Sequence, residues 1–473
     1  MEARLSYSMA LLAGREVYKR SGVALYPFQV EGIHRCTQGN TLLDFEMGLG
    51  KTLTAILSVR HLNRVLFVVP KIVIPHWLRE IRRGTGKETL GLLGTKRLRI
   101  RSGGDGWVIA SHEAITNWGR VLGQREGELM PLAGVTPADV PMIDRGSWDA
   151  LVVDEVHRFG PLSKRTVGLL LLARKTDRVI CLSGTPMQGG SHRLWTVLQL
   201  LSPGHWGDYY TFIKRYAAAE ENEFGGLTPR GVSNAAELTR KITPFFLSFG
   251  KAEVAPFLPR HIMTEVEVPL TPSRAIDLGL QIDLMLRRVR DRGYESIGDL
   301  FKDRDVVDAR MSIAAYKLSA AKDLAEQVIR EGRQVVVWCW HREAARLLAL
   351  EVKDSVVVSG AISEGRNNEA LEKFKRGHVR CLVSTIAKLG IGFDDLTVAS
   401  DQIVLELPWL PEELVQALSR LDRIGQTKPV HSTLIRIGVG FEESLCVRLR
   451  SRINESRVTP RPPLTVLDLL KDL

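Results

Sequence analysis

Glu46-Met47-Gly48-Leu49-Gly50-Lys51-Thr52 stands between an apolar run, Thr41-Leu42-Leu43, and a stretch of helical character, Leu53-Thr54-Ala55-Ile56-Leu57. Read as strand, turn and helix, this order aims backbone N–H groups and a helix N-terminus at one point, as a triphosphate requires. In such a cradle Glu46, Met47, Gly48, Leu49 and Gly50 wrap the phosphates. Lys51 reaches the outer ones, and Thr52 offers its hydroxyl to Mg²⁺. The general phosphate-loop pattern has its first glycine where this chain has Phe45. Taken alone, a glycine-rich turn capping an ordinary core helix would explain the stretch as well.

A second site argues against that bland explanation. Leu151-Val152-Val153-Asp154-Glu155-Val156-His157 reads as a hydrophobic strand ending in paired carboxylates. Asp154 can hold the metal through water, and Glu155 can orient and deprotonate an attacking water. A strand ending in a solvated acidic turn is common by itself. The two sites in this order point to a protein that binds and hydrolyses a nucleoside triphosphate.

Composition bounds the rest. At 473 residues the chain is long for a single core, and its 44% hydrophobic content suffices for several domains. The formal charge of +11 favours a polyanionic partner, because Lys and Arg beside phosphates release counterions. Cys36, Cys181, Cys339, Cys381 and Cys446 are scattered, without a CxxC pair or zinc-ligand spacing, and read as free thiols of a reducing cytosol. Met1-Glu2-Ala3-Arg4 lacks the profile of a secretory signal, and no apolar run has the length to span a bilayer. A cytoplasmic protein without membrane contact is expected.

Short apolar strands alternate with helical stretches at Arg64 to Val69, Trp107 to Ala110, Ala150 to Asp154 and Arg178 to Ser183. The pattern restarts at Val335 to Trp340, Ser355 to Val358, Cys381 to Ser384 and Gln402 to Leu405. Such alternation predicts an α/β protein with two parallel sheets flanked by helices. The stretch from Gly204 to Ala321 differs, with aromatic and charged helical patches. Within it, Arg287-Arg288-Val289-Arg290-Asp291-Arg292 reads as a solvated basic helix, with a binding site for the polyanion as the alternative. The expected organisation is a first lobe over 1–258 with a helical insertion at about 204–258. A second lobe over 259–455 carries an insertion at about 271–325, and a brace over 456–473 follows.

With these motifs in place, the chain resembles the Swi/Snf-type family of superfamily-two helicase-like ATPases. Tyr26-Pro27-Phe28-Gln29 is similar to the family's adenine-recognition element, with Gln29 contacting the base. Val69-Pro70-Lys71 with Trp77, and Ala110-Ser111-His112-Glu113, resemble motifs that touch a nucleic-acid backbone. Ser183-Gly184-Thr185-Pro186 resembles the element coupling hydrolysis to lobe movement, its hydroxyls switching between Asp154-Glu155 and the facing lobe. Gly360, Ser363, Arg366 and Phe374 match a spaced signature. Ser384-Thr385 and Leu389-Gly390-Ile391 resemble the fifth motif, which implies DNA contacts at Ser384 and Thr385 and a nucleotide contact at Gly390. Gln416 to Gln426 is the most specific match. There Gln416 has a coupling role, and Arg420 and Arg423, three apart on one helix face, stabilise the transferring phosphoryl group. Phe224-Gly225-Gly226, Arg230-Gly231, Ser233-Asn234 and Glu237-Leu238 are similar to the helical insertion of the annealing-helicase-like branch. Departures fall at Phe45, at Gly392, and at Leu247-Ser248-Phe249-Gly250-Lys251, where relatives are arginine-rich.

The resemblance implies two tandem RecA-like lobes and an ATP- and Mg²⁺-dependent translocase on double-stranded DNA, without base readout and monomeric. A DNA-bound protein is a further candidate partner. A strand-separating or strand-annealing helicase is the alternative, and a nucleotide-gated DNA-binding scaffold a third. The absence of a recognisable histone-reading module favours a minimal motor from a bacterium or an infected bacterial cell.

Overall fold

The computed structural model describes residues 2–22, 24–92, 106–115, 124–125, 128–129, 148–184, 186–187, 190–222, 225–254, 259–292, 303–389, 396–409, 411–438 and 442. Thr185, Gly390, Gly392 and the expected brace over 456–473 lie outside them. The chain divides into two compact units, with the break between Glu253 and Val254.

The first unit is built on a seven-stranded sheet. Its strands are β1 (Thr41–Phe45), β2 (Arg64–Val69), β3 (Thr89–Leu92), β4 (Gly106–Ser111), β7 (Ala150–Val153), β8 (Val179–Leu182) and β11 (Phe246–Phe249). Two-residue strands pair separately, β5 (Gln124–Arg125) with β6 (Glu128–Leu129), and β9 (Glu220–Glu221) with β10 (Leu227–Thr228). The sheet runs β11-β1-β8-β7-β2-β4-β3, and every pairing in it is parallel. Near-continuous apolar sequence explains this, since helices cover both faces and leave no solvent side for polar residues to occupy. β1, β7 and β8 are buried along their whole length.

The second unit holds a six-stranded sheet. It comprises β12 (His261–Glu267), β13 (Val335–Cys339), β14 (Ser355–Val358), β15 (Cys381–Thr385), β16 (Asp401–Val404) and β17 (Val430–Arg436). Their order is β12-β17-β16-β13-β15-β14, again all parallel. The α/β architecture expected from the alternation is therefore present in both units.

Several strands escaped the sequence reading. β12 is exposed along most of its length and its His-Ile-Met-Thr-Glu-Val-Glu sequence lacks an apolar run. β11 lies within the departure noted at Leu247-Ser248-Phe249-Gly250-Lys251 and begins one residue before it. Here it is an edge strand on β1, and Phe249 packs on Phe45 and Phe28 with ring centroids 5.4 and 5.6 Å away. The basic run at Arg287–Arg292 ends the helix Pro272–Arg292, where Arg288 and Arg292 pair with Asp305 and Arg292 also with Asp303. Those pairs join it to the start of the next helix, Arg304–Arg330, and favour the solvated-face reading.

Candidate nucleotide site

In the first sheet β8 lies between β1 and β7, so parallel pairing brings three strand ends to one edge. β1 ends in Phe45 before the glycine turn, β8 in Leu182 before Ser183-Gly184, and β7 in Val153 before Asp154-Glu155. The carboxyl ends of parallel strands are where α/β sheets bind ligands.

The turn has the backbone its glycines permit. Gly48 and Gly50 take φ of 87° and 77°, and Lys51 opens the helix Lys51–Ser58. Side chains resist such angles because Cβ clashes with the carbonyl oxygen. Phe45 belongs to the strand rather than the turn, and its buried ring enters the Phe28–Phe249 cluster. The departure from the general pattern thus falls outside the cradle. Phe45 has a cost elsewhere, because a Cβ at Gly32 would stand 2.9 Å from its ring and 2.8 Å from the Thr54 methyl.

Lys51 Nζ donates to the Phe45 carbonyl at 2.6 Å. Gly184 leaves it room, since a Cβ there would lie 3.2 Å from that nitrogen and 3.3 Å from Met47 Cγ. The Glu46 carboxylate accepts the Lys251 N–H at 2.7 Å, tying the turn to the segment after β11. Gln29 is buried, with Oε1 accepting the Tyr26 N–H at 3.0 Å and Nε2 donating to the Leu49 carbonyl at 3.3 Å. The amide assigned to a base therefore braces the phosphate turn.

Asp154 keeps part of its surface, yet packing around the carboxyl removes enough water to raise its pKa to about 6, and the neighbouring Glu155 adds to this. The Trp77 indole N–H donates to Oδ2 at 3.1 Å and the Glu155 N–H to Oδ1 at 3.0 Å, and with Lys51 they pull the value back. Glu155 sits in the left-handed region at φ 50°, ψ 48°, which residues with a Cβ seldom occupy outside constrained sites. Its Oε2 is buried and accepts no hydrogen bond from the described residues. His157 Nδ1 stands 3.3 Å from that oxygen and 2.9 Å from Ser183 Oγ. Burial lowers the His157 pKa, so the ring is neutral at neutral pH and the contact with Glu155 is no ion pair. His157 Nδ1 thus stands between Ser183 Oγ and the Glu155 carboxylate.

These residues fit Mg²⁺ and a nucleoside triphosphate. A lysine resting on a carbonyl, a desolvated carboxylate and an orphaned carboxylate oxygen all suit added charge or a water molecule. Mg²⁺ needs few protein ligands, because phosphates and waters complete its octahedron, so Thr52 and Asp154 suffice.

The proposed nucleic-acid contacts divide sharply. Lys71 is exposed at the end of β2. Ser111 and His112 are buried, Ser111 Oγ accepting the Ala114 N–H and His112 Nε2 lying 2.9 Å from the Asp154 carbonyl. Burial pushes the His112 pKa down to about 3. Ser384 and Thr385 are buried as well, with Ser384 Oγ donating to the Val358 carbonyl at 3.1 Å. All four of these side chains are buried, whereas Lys71 is exposed.

In the second unit Gln416 is half-buried on the helix Pro411–Leu418. That helix stops before the arginines, which corrects the expectation of one helical face. Arg420 and Arg423 occupy successive turns, closed by Arg420 N to Ala417 O, Asp422 N to Leu418 O and Gln426 N to Arg423 O. Gln426 holds the turns through Nε2 to the Ala399 and Leu421 carbonyls, and Gly425 takes φ 104°. Arg423 Nε is buried with no acceptor among the described residues.

Sequence reasoning missed the roles of Gly184, His157 and Trp77. The usable signals were small: a glycine inside Ser-Gly-Thr-Pro, and a histidine two residues after the acidic pair.

Comparison with known proteins gives two family matches, "SNF2-related domain" over residues 28–275 and "Helicase conserved C-terminal domain" over 317–425. Among curated proteins, the chain is 26% identical to Protein CHROMATIN REMODELING 24 of Arabidopsis thaliana, over 89% of this chain and 45% of that one. It is 24% identical to the DNA annealing helicase and endonuclease ZRANB3 of Mus musculus, over 86% and 38%. The chain therefore spans less than half the length of these relatives. Among solved structures, the Sulfolobus solfataricus SWI2/SNF2 ATPase core in complex with dsDNA matches with a TM-score of 0.43 and 20% identity, covering 91% of both chains.

Proposed function

The chain belongs to the SNF2-related family, with tandem RecA-like lobes, and from that premise we propose that it is an ATP-driven motor that moves along double-stranded DNA. The observation that carries the reading is the convergence of Lys51, Asp154-Glu155 and Ser183-Gly184 at three adjacent strand ends. Lys51 exchanges the Phe45 carbonyl for the outer phosphates. Thr52 and Asp154 would hold Mg²⁺, which when bound would neutralise phosphate charge. Glu155 Oε2 orients the attacking water and takes its proton as the terminal phosphoryl group leaves ADP. Arg420 and Arg423 stabilise the charge that develops on that group.

Duplex DNA as the track is supported by the formal charge of +11, the exposed Lys71 and relatives named for DNA annealing and chromatin remodelling. Backbone contacts suit translocation, since reading bases would hold the motor at one sequence. The test measures ATP hydrolysis with duplex DNA, single-stranded DNA and RNA, beside triplex displacement and duplex unwinding. Duplex-stimulated turnover with triplex displacement and without unwinding is expected. Unwinding would identify a strand-separating helicase, and nucleotide binding without turnover a scaffold.

A further inference from the structure

Four adjacent strands of the second sheet each contribute one polar side chain to a single chain of contacts. Trp338 on β13 donates its indole N–H to Gln402 Oε1 on β16 at 2.9 Å. Gln402 Nε2 donates to Ser432 Oγ on β17 at 2.8 Å and to the Leu418 carbonyl at 3.2 Å. Ser432 Oγ lies 2.7 Å from His261 Nε2 on β12, and His261 Nδ1 stands 3.3 Å from Asp422 Oδ2. Trp338, Gln402 and Ser432 are all buried.

One assignment of donors pairs every group in this chain. An indole nitrogen only donates, so Gln402 must turn its oxygen to Trp338 and its NH₂ to Ser432 and Leu418. Ser432, which accepts from Gln402, can give its own hydrogen to His261 Nε2. In that assignment His261 Nδ1 carries its hydrogen toward the Asp422 carboxylate. The two ends of this chain fall on Leu418, the last residue of the helix, and on Asp422, between the two arginines. No regular secondary structure holds residues 419–425. We propose that Trp338, Gln402, Ser432 and His261 form a positioning relay that sets the turn carrying Arg420 and Arg423, and hence the rate of phosphoryl transfer rather than nucleotide affinity. This rests on the role given above to the arginines.

The experiment uses the full chain. Ser432→Ala removes the hydroxyl that orients His261 and sits apart from the arginines. It should lower DNA-stimulated kcat about fivefold, and His261→Ala about tenfold, with ATP affinity changed less than about twofold. Ser432→Thr, which keeps the hydroxyl, should restore most of the rate. In an Arg423→Ala background, Ser432→Ala should cost less than in the parent, because one of the two groups it positions is already gone. Selective ¹⁵N-histidine NMR should find the His261 proton on Nδ1 in the parent and a changed tautomer ratio in Ser432→Ala. Parental turnover in both relay variants, or an undiminished loss in the Arg423→Ala background, would overturn the relay. Parental turnover in Arg420→Ala and Arg423→Ala would instead overturn the arginine assignment, while the NMR result still reports the relay's hydrogen bonds.

Discussion

Gly184 approaches Lys51 so closely that a methyl group on its Cα would stand 3.2 Å from the ammonium nitrogen and 3.4 Å from the Phe45 carbonyl that now accepts from it. The residue beside Ser183 is therefore one wall of the candidate phosphate cradle. Gly184→Ala should displace Lys51 or the turn by a few tenths of an ångström. ATP affinity should fall about tenfold, with melting temperature nearly unchanged, because the strain falls on a flexible side chain. Fluorescent-nucleotide titration and thermal unfolding on one preparation check this, and unaltered affinity would remove Gly184 from the site.

Lys51→Ala should abolish productive ATP use, since the phosphates lose the cation that Gly184 and Phe45 hold in place. Glu155→Gln keeps shape and leaves Asp154 for the metal. It should bind ATP normally and hydrolyse it about a hundredfold more slowly. Loss of binding in Glu155→Gln would show that the two carboxylates do not divide the work as assigned.

Trp77→Phe retains packing against Phe67, whose ring centroid lies 5.3 Å away, and deletes the donor to Asp154 Oδ2. A hydrogen bond to a charged group contributes about 1.5–3 kcal/mol, so the variant should unfold more easily and hold the divalent ion less tightly. Mn²⁺ titration followed by electron paramagnetic resonance, with ADP present, reads the second effect directly. Unchanged Mn²⁺ affinity would leave Trp77 a packing residue.

His112 is buried neutral, with its pKa pushed from 6.5 down to about 3. The unfolded chain binds this proton first as pH falls, so the stability is present above 6.5 and is lost on acidification toward 3. Between pH 6.5 and pH 5 the loss from this one group is about 1.5 kcal/mol. Denaturant titrations of the parent and His112→Gln across that range should show a shallower pH dependence in the variant. Parallel curves would contradict it.

The sequence by itself determined the two α/β lobes and marked the residues at the strand ends to which the proposed chemistry is assigned. Runs such as Leu151-Val152-Val153, apolar on both faces, short and rich in β-branched residues, read as buried strands. Glycines at 48 and 50 mark a backbone that other residues avoid. Lys51, Asp154 and Glu155 are recognisable because each ends such a run. Tertiary structure decided what lies beside what. Parallel pairing set β8 between β1 and β7, bringing Gly184 to Lys51 across a long sequence separation, and four neighbouring strands aligned Trp338, Gln402, Ser432 and His261. It also buried Ser111, His112, Ser384 and Thr385, whose polar side chains look available in a linear reading. Strand order and hydrogen-bond partners are global properties. They follow from which of many possible pairings buries the most apolar surface while satisfying every polar group, a choice that periodicity in a local window does not encode.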